Sequence, residues 1–327
     1  MANAVTFSGM SYAKHFRDAV VLITGGAGFI GSHLAQRLLE LGAVVRVIDD
    51  LSGGRRDNLS SGVAFLHESI LNKNALDEMM RGCRYVFHQA AMVSVPESVD
   101  DPQRCAEVNI AGTSMVLNAA RQAAVQRLMF AASAAAYGGK PELPSSEDHP
   151  TDCWSPYAAS KVSSETLLQA FARCYPISTV SLRYFNIFGP RQNPDSPYAA
   201  AISAFMKAIR AGKQPTIYGD GKQTRDFTYI DNVVHANLLA ASCQREFRGE
   251  VINIGTGHRI SLLDVLDQMS RVLGVHIVPT FAPPRAGDVR DSVADIERAL
   301  QLLDYQPIAS FGLGMEQTLQ AEGLLAQ

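Results

Sequence analysis

Along this chain the spacing of apolar positions switches repeatedly between two periods. Short apolar runs rich in β-branched residues mark strands buried on both faces. Between them, apolar residues recur every three to four positions, the mark of helices with one buried face. The first run is Val20-Val21-Leu22-Ile23-Thr24, and the amphipathic stretch that follows covers 32–41 and stops at Gly42. Further strands are predicted over 44–48, 63–67, 85–88, 127–132 and 178–183, with helices over 71–81, 102–124 and from Pro156 onwards. Ser155-Pro156 reads as an N-cap followed by proline at the first helical position. Strands alternating with helices imply an α/β fold with a doubly wound parallel sheet. After Arg183 the rhythm breaks: Pro190, Pro194, Pro197 and Pro215 interrupt it and short segments take over. A smaller C-terminal α/β portion is expected there.

Composition narrows the classes. The chain has 327 residues, 47% of them hydrophobic, and a net charge of −3, enough for one large or two smaller domains. That charge is too balanced for a nucleic-acid or membrane-surface protein. No apolar segment reaches the ~18 residues of a membrane span, and residues 1–18 are polar and mixed, without a signal-peptide core. They are expected to form an arm preceding the fold, in a cytoplasmic protein. Five scattered cysteines without a Cys-x-x-Cys pair suit reduced thiols, and no metal is expected. His88 closes the apolar run Arg84-Tyr85-Val86-Phe87-His88 and reads as structural.

Two clusters carry candidate chemistry. The first strand runs into Gly25-Gly26-Ala27-Gly28-Phe29-Ile30-Gly31. A strand, a glycine turn and a helix set helix-terminal N–H groups against a diphosphate. The spacing here is Gly-x-x-Gly-x-x-Gly, and the second strand ends in Asp49-Asp50. Asp49 stands about 20 residues on, where an acid binds the ribose 2′-hydroxyl of a dinucleotide. It also repels a 2′-phosphate, which favours NAD over NADP, although Arg55 and Arg56 follow closely.

The second cluster is Tyr157-Ala158-Ala159-Ser160-Lys161. Four residues apart on a helix, the phenol and the ammonium project from one face. A free tyrosine has a pKa of about 10 and is a poor base; a neighbouring ammonium is expected to lower it.

With these residues in view, the chain resembles the extended short-chain dehydrogenase/reductase family, and within it the nucleotide-sugar 4-epimerases acting on UDP-N-acetylhexosamines. The motifs fall in order: Thr24 to Gly31, Asn109-Ile110-Ala111-Gly112-Thr113, Ser133-Ala134-Ala135-Ala136-Tyr137-Gly138, Tyr157 to Lys161, Arg183-Tyr184-Phe185-Asn186 through Gln192, and Arg225-Asp226-Phe227. The resemblance implies an NAD-binding Rossmann domain over 19–183 and 228–258. A nucleotide-sugar-binding domain would occupy 184–227 and 259–327. It implies catalysis by Ser133, Tyr157 and Lys161. Cofactor contacts would come from Gly25, Gly28, Phe29, Ile30, Gly31, Asp49, Asp50, Ser69, Ile70, Gln89, Ala90, Ala91, Asn109 and Tyr184, with Tyr157 and Lys161. Substrate contacts would come from Val93, Ser94, Asn186, Gln192, Ala200, Thr216, Tyr218, Arg225, Arg285, Asp288 and Ser292, with Ser133. A homodimer through the helices at 102–124 and 155–174 is also implied.

Three positions sharpen the expectation. Sugar 4,6-dehydratases of this family carry an Asp-Glu pair where this chain has Ala134 and Ala135, so elimination lacks its acid. Ser292 stands where epimerases restricted to plain hexoses carry tyrosine, which leaves room for an acetamido group. Ser69 replaces the usual adenine-binding aspartate, and Val93 a common glycine. A UDP-glucuronate 4-epimerase, a net reductase and a non-catalytic NAD-binding sensor remain the alternatives.

Overall fold

Seven of the apolar runs line up as one sheet, because each must bury both faces and satisfy its backbone on both edges. The computed structural model describes residues 7–139, 142–193, 201–284 and 289–325. The sheet strands are β1 (Val20–Thr24), β2 (Val44–Asp49), β3 (Ala64–His67), β4 (Tyr85–His88), β5 (Arg127–Ser133) and β6 (Ser178–Tyr184). Four small strands follow, β7 (Ile187–Phe188), β8 (Thr216–Tyr218), β9 (Thr224–Arg225) and β10 (Thr228–Tyr229), and then the seventh sheet strand, β11 (Arg248–Ile254). The order across the sheet is β11-β6-β5-β4-β1-β2-β3, and every pairing in it is parallel. The chain moves outward from β1 to β3, then returns to the other side of β1 at β4. That reversal opens a crevice at the carboxyl ends of β1 and β4, where ligands of such sheets bind.

Helices cover both faces: α1 (Phe29–Glu40), α2 (Lys73–Met80), α3 (Val95–Asp100), α4 (Pro102–Ala106), α5 (Gly112–Gln122), α6 (Pro156–Cys174), α7 (Ala201–Arg210) and α8 (Ile230–Ser242). Alternate strand residues serve opposite faces. Val21 and Ile23 pack in one cluster with Leu34 of α1 and Val234 of α8, while Leu22 packs in another with Leu76 of α2, Leu117 of α5 and Leu168 of α6. Each fully buried side chain of this size stabilises by about 1.5–3 kcal/mol. Arg127 ties β5 to the end of α8, its guanidinium donating to the carbonyls of Ala240, Ala241 and Cys243, three groups that the helix cannot satisfy itself.

The predicted helix over 102–124 is interrupted: a single π turn, Glu107–Ala111, separates α4 from α5. The described part of the N-terminal arm is built into the core. Phe7, Tyr12 and Phe16 are buried; the Tyr12 hydroxyl pairs with His235 Nδ1 of α8 at 3.0 Å, and Phe16 meets Tyr85 of β4 edge-on. Beyond β6, apart from β11, the strands are two or three residues long and come in pairs. β7 pairs with β10, β8 with β13 (Thr280–Ala282), and β9 with β12 (Ile260–Ser261). Among the described residues no helix is long and apolar enough to cross a membrane.

Candidate active site

The glycine turn closes because its positions tolerate no side chain. Gly25 has φ +67°, and a Cβ there would lie 2.6 Å from the Ala90 nitrogen; at Gly31 it would lie 2.3 Å from the Gly25 carbonyl oxygen. The tightness of Gly31 follows from where α1 begins: at Phe29, not at Ser32 as its apolar spacing predicts, so Gly31 sits in the first helical turn. Gly28 is the N-cap and offers no side-chain acceptor. The first N–H groups of α1 are thus left to a ligand, and the helix end favours an anion. Asp49 braces the turn, accepting from Ala27 N–H at 2.9 Å and from Leu51 N–H at 2.8 Å. Burial pushes its carboxyl up against those two bonds.

A cavity of about 830 Å³ runs from this turn to α6. All the expected cofactor residues line it except Ser69 and Asn109, and so do Val93, Ser133, Asn186, Gln192, Arg225 and Ser292 of the substrate set. Ala200, Arg285 and Asp288 lie outside the described residues. Gln89 Oε1 is buried there with no hydrogen-bond partner among the described residues. An orphaned acceptor, an uncapped helix end and a turn closed to side chains fit a dinucleotide.

α6 carries the second cluster. Ser155 caps it, its Oγ accepting from Ala158 N–H at 3.1 Å, and Ser98 of α3 accepts from Tyr157 N–H at 3.1 Å. The Tyr157 side chain lies beside that of Ser133 at the end of β5. Lys161, 3% exposed, donates from Nζ to the Ala131 carbonyl at 2.8 Å, and that nitrogen is 5.8 Å from the Tyr157 ring centre. Burial pulls the ammonium down to about 8, opposed by Cys105 and Glu165. The expectation that Lys161 lowers the phenol is corrected here. Burial raises Tyr157 above its ordinary value, the adjacent Ser133 hydroxyl opposes that, and Lys161 is turned to Ala131 instead.

Other expected residues do different work. Asn109 is buried behind the wall: its Oδ1 accepts from Met92 N–H at 2.8 Å, and its Nδ2 donates to the Met92 carbonyl and to Ser160 Oγ. Ser69 Oγ accepts from Leu71 N–H. The neighbouring Glu68 lines the cavity, its carboxylate accepting from Ser69 N–H and Asn72. Ser94 caps α3, its Oγ accepting from Glu97 N–H. Gln192 has both ends of its amide committed, to the Ile187 carbonyl and Ser203 Oγ, and forms wall. Thr216 is exposed, its hydroxyl 3.1 Å from that of Thr280. Tyr218 lines a smaller cleft of about 400 Å³ that shares Val289 with the main cavity.

Arg225 lines the cavity and donates to the carbonyls of Thr224 and Arg290. Its neighbour Asp226 is fully buried, accepting from Thr256 N–H, Gly257 N–H and Ala294 N–H; that carboxylate joins three segments. Glu97 and Arg104 also line the cavity. No sequence motif pointed to them; only the turn of α3 and α4 towards the crevice does.

The chain is similar to known proteins over most of its length. The family model described as the NAD dependent epimerase/dehydratase family matches residues 21–255. A UDP-glucose 4-epimerase of Mycolicibacterium smegmatis is 37% identical over 306 residues, covering 91% of this chain and 97% of that one. The structure of a UDP-N-acetylglucosamine 4-epimerase from Methanobrevibacter ruminantium M1, in complex with UDP-N-acetylmuramic acid, superposes with a TM-score of 0.89 at 36% identity, covering 94% of this chain and 98% of that one. A UDP-glucuronic acid 4-epimerase from Bacillus cereus, in complex with UDP-glucuronic acid and NAD, superposes with a TM-score of 0.85 at 34% identity, covering 94% and 100%.

Proposed function

Because the chain belongs to the NAD-dependent epimerase/dehydratase family, we propose that this enzyme interconverts UDP-N-acetylglucosamine and UDP-N-acetylgalactosamine at C4, and that it also accepts UDP-glucose and UDP-galactose. One observation carries the reaction type. Ser133 and Tyr157 stand together in a cavity whose next wall residues are Ala134 and Ala135. A phenol and a hydroxyl can take a proton from an alcohol and give it back, but the residues of this turn cannot expel water. Ser292, on the same cavity wall, leaves space beside the sugar for an acetamido group.

The glycine turn and the first N–H groups of α1 hold the cofactor diphosphate, Asp49 accepts from its ribose, and Gln89 Oε1 gains a donor. NAD bound there supplies a reversible hydride acceptor for C4 of the sugar. Tyr157 draws the 4-hydroxyl proton through Ser133 and later returns it. Burial alone disfavours the phenolate, so positive charge must be brought near it. Lys161 has two further N–H donors beyond the one held by Ala131, and these would hold the nicotinamide ribose. Arg225, with Arg285, grips the sugar-nucleotide diphosphate while the 4-ketose turns over between proton removal and return. The division into a Rossmann part (19–183, 228–258) and a sugar-nucleotide part (184–227, 259–327) belongs to this reading, as does a homodimer through α5 and α6. Light scattering would test the dimer.

Purified protein incubated with UDP-N-acetylglucosamine, without added reductant, tests the proposal by NMR of the anomeric protons. Signals of UDP-N-acetylgalactosamine should appear with the wild type and not with Tyr157→Phe. A folded, NAD-loaded protein that leaves the substrate unchanged refutes the acetamido-sugar assignment. A UDP-glucuronate 4-epimerase is the second reading, in which Arg104, a cavity-lining cation paired with Glu107 at 2.8 Å, would answer a C6 carboxylate. UDP-glucuronate is therefore the next substrate to test.

A further inference from the structure

Behind the cavity wall runs a line of buried polar groups that the reaction above does not use. Thr24 of β1, His88 of β4 and Thr113 of α5 are all buried. Thr24 Oγ1 is 2.7 Å from His88 Nδ1, and His88 Nε2 is 3.0 Å from Thr113 Oγ1. Thr113 Oγ1 lies 2.5 Å from the Asn109 carbonyl oxygen, and Ala90 N–H donates to Thr24 Oγ1 over 3.3 Å.

The number of available protons fixes the direction of each bond. A carbonyl oxygen has none, so Thr113 must donate its single hydroxyl proton to Asn109. Towards His88, Thr113 can then only accept, which puts a ring proton on Nε2. Burial, aided by the nearby Lys161, holds the imidazole down at about 3, so the ring is neutral and Nδ1 is bare. Thr24 therefore donates to Nδ1 and accepts from Ala90. With the ring proton on Nδ1 instead, Nε2 and the Thr113 oxygen would face each other as two acceptors.

We propose that His88, as its neutral Nε2–H tautomer, is a positioning residue that locks the glycine turn to the catalytic helix. Both ends of the line lead into the site. Thr24 immediately precedes Gly25, which closes against the backbone of Ala90. At the other end Asn109, in the middle of the π turn, clasps Met92 and donates to Ser160 Oγ at 2.9 Å; Ser160 Oγ in turn donates to the Tyr157 carbonyl at 2.8 Å. Ser164 Oγ of α6 lies 2.9 Å from both the Asn109 and the Ser160 carbonyl oxygens and shares its one proton between them. A single imidazole, donor on one side and acceptor on the other, sets the distance between the cofactor-binding end of β1 and the start of α6.

Two measurements test this. In ¹⁵N-histidine NMR of the NAD-loaded protein, His88 (assigned by its loss in His88→Gln) should show the neutral Nε2–H pattern, unchanged between about pH 5.5 and 8. An Nδ1–H pattern, or a ring that titrates in that window, overturns the proposal. His88→Phe keeps the bulk of the ring but removes the acceptor for the Thr24 hydroxyl proton and the donor to Thr113 Oγ1, whereas His88→Gln keeps an N–H for Thr113. The phenylalanine variant should bind NAD about tenfold or more weakly. Its kcat should fall by a similar factor with KM for the sugar nucleotide changed about twofold at most, and glutamine should recover part of both. A folded His88→Phe protein with wild-type NAD affinity and kcat overturns the role. If that variant does not fold, His88→Gln and His88→Asn carry the same comparison. Tautomer and NAD affinity are read without any sugar nucleotide, so they can fail while the substrate assignment stands, and the reverse.

Discussion

Glu165→Ala is expected to lower both the melting temperature and the alkaline limit of activity. Glu165 and Arg183 form a bidentate pair, Nε to Oε1 at 2.8 Å and Nη2 to Oε2 at 2.7 Å, with both side chains 4% exposed. Burial works against the guanidinium's charge, and the Glu165 bonds outweigh it, holding the group above its ordinary range. Alanine leaves that cation buried without its partner, at a cost of about 3–5 kcal/mol. Unfolding entropy is roughly 2.1 cal/mol/K per residue. Over 327 residues that is about 0.7 kcal/mol/K, so the melting temperature should fall by about 4–7 °C. The second effect comes through Lys161, one turn before Glu165 on α6. Burial pulls its ammonium down to about 8, and the Glu165 charge opposes that fall. Without the charge, Lys161 loses its proton at lower pH, and activity that needs the ammonium declines earlier as pH rises. Calorimetry of the NAD-loaded protein and kcat measured from about pH 6 to 10 read the two effects. Glu165→Met combined with Arg183→Met removes both charges and should recover most of the melting temperature. A fall under about 1 °C for Glu165→Ala, or an unmoved alkaline limit in a folded protein, would refute the reasoning.

Gly31→Ala should abolish retention of NAD through purification, because its Cβ would sit 2.3 Å from the Gly25 carbonyl oxygen; ultraviolet absorbance of the purified protein reads this, and a fully loaded variant contradicts it. Ser292→Tyr should cut turnover of acetamido sugars by about tenfold or more while sparing plain hexoses, as measured by kcat/KM on both; equal losses would contradict the gate. His33 and His235 are held at about 4 by burial, against about 6.5 in an unfolded chain. Between those values the unfolded chain binds more protons, so the stability they contribute is complete above about pH 6.5 and is lost as pH falls towards 4, at most about 3 kcal/mol for each. Urea unfolding at pH 7 and pH 5 should show a lower midpoint at pH 5, and equal midpoints would contradict it.

The doubly wound sheet was legible because most of its strands are short apolar runs such as Val20-Val21-Leu22-Ile23, which no amphipathic helix would present. The glycine turn and the Tyr157–Lys161 spacing were legible because each depends on neighbours in sequence. What spacing could not show was which side chains meet across the fold. Asn109 belongs to a recognisable motif, yet only the π turn reveals that it clasps Met92 and Ser160. Arg225 and Asp226 are adjacent, yet the first, at the end of β9, lines the cavity while the second, just past that strand, is buried. Glu165 carried a faint signal, an acid two turns beyond Tyr157 on the same helical face, but its partner Arg183 lies on β6.

C4 epimerisation asks opposite things of the two ends of one cavity. A cofactor that must give back what it took has to stay bound and keep its orientation, whereas the sugar must present first one face and then the other. The halves of the cavity are built to match. On the cofactor side stand seven parallel strands, glycines that admit no Cβ and a second layer whose hydrogen-bond directions admit one arrangement. On the sugar side the wall comes from the end of β6, strand pairs of two or three residues and small residues such as Ala134, Ala135 and Ser292. On the proposed reading a sugar ring there sits beside the Ser133–Tyr157 pair and is tethered through its diphosphate. Bulk added at Ser292 should therefore act on turnover through the ketose's freedom to turn, and that added at Gly31 through loss of cofactor. The two losses differ in kind: NAD content stays full in the first variant and falls in the second, and equal NAD loss in both would break the division of labour argued for this cavity.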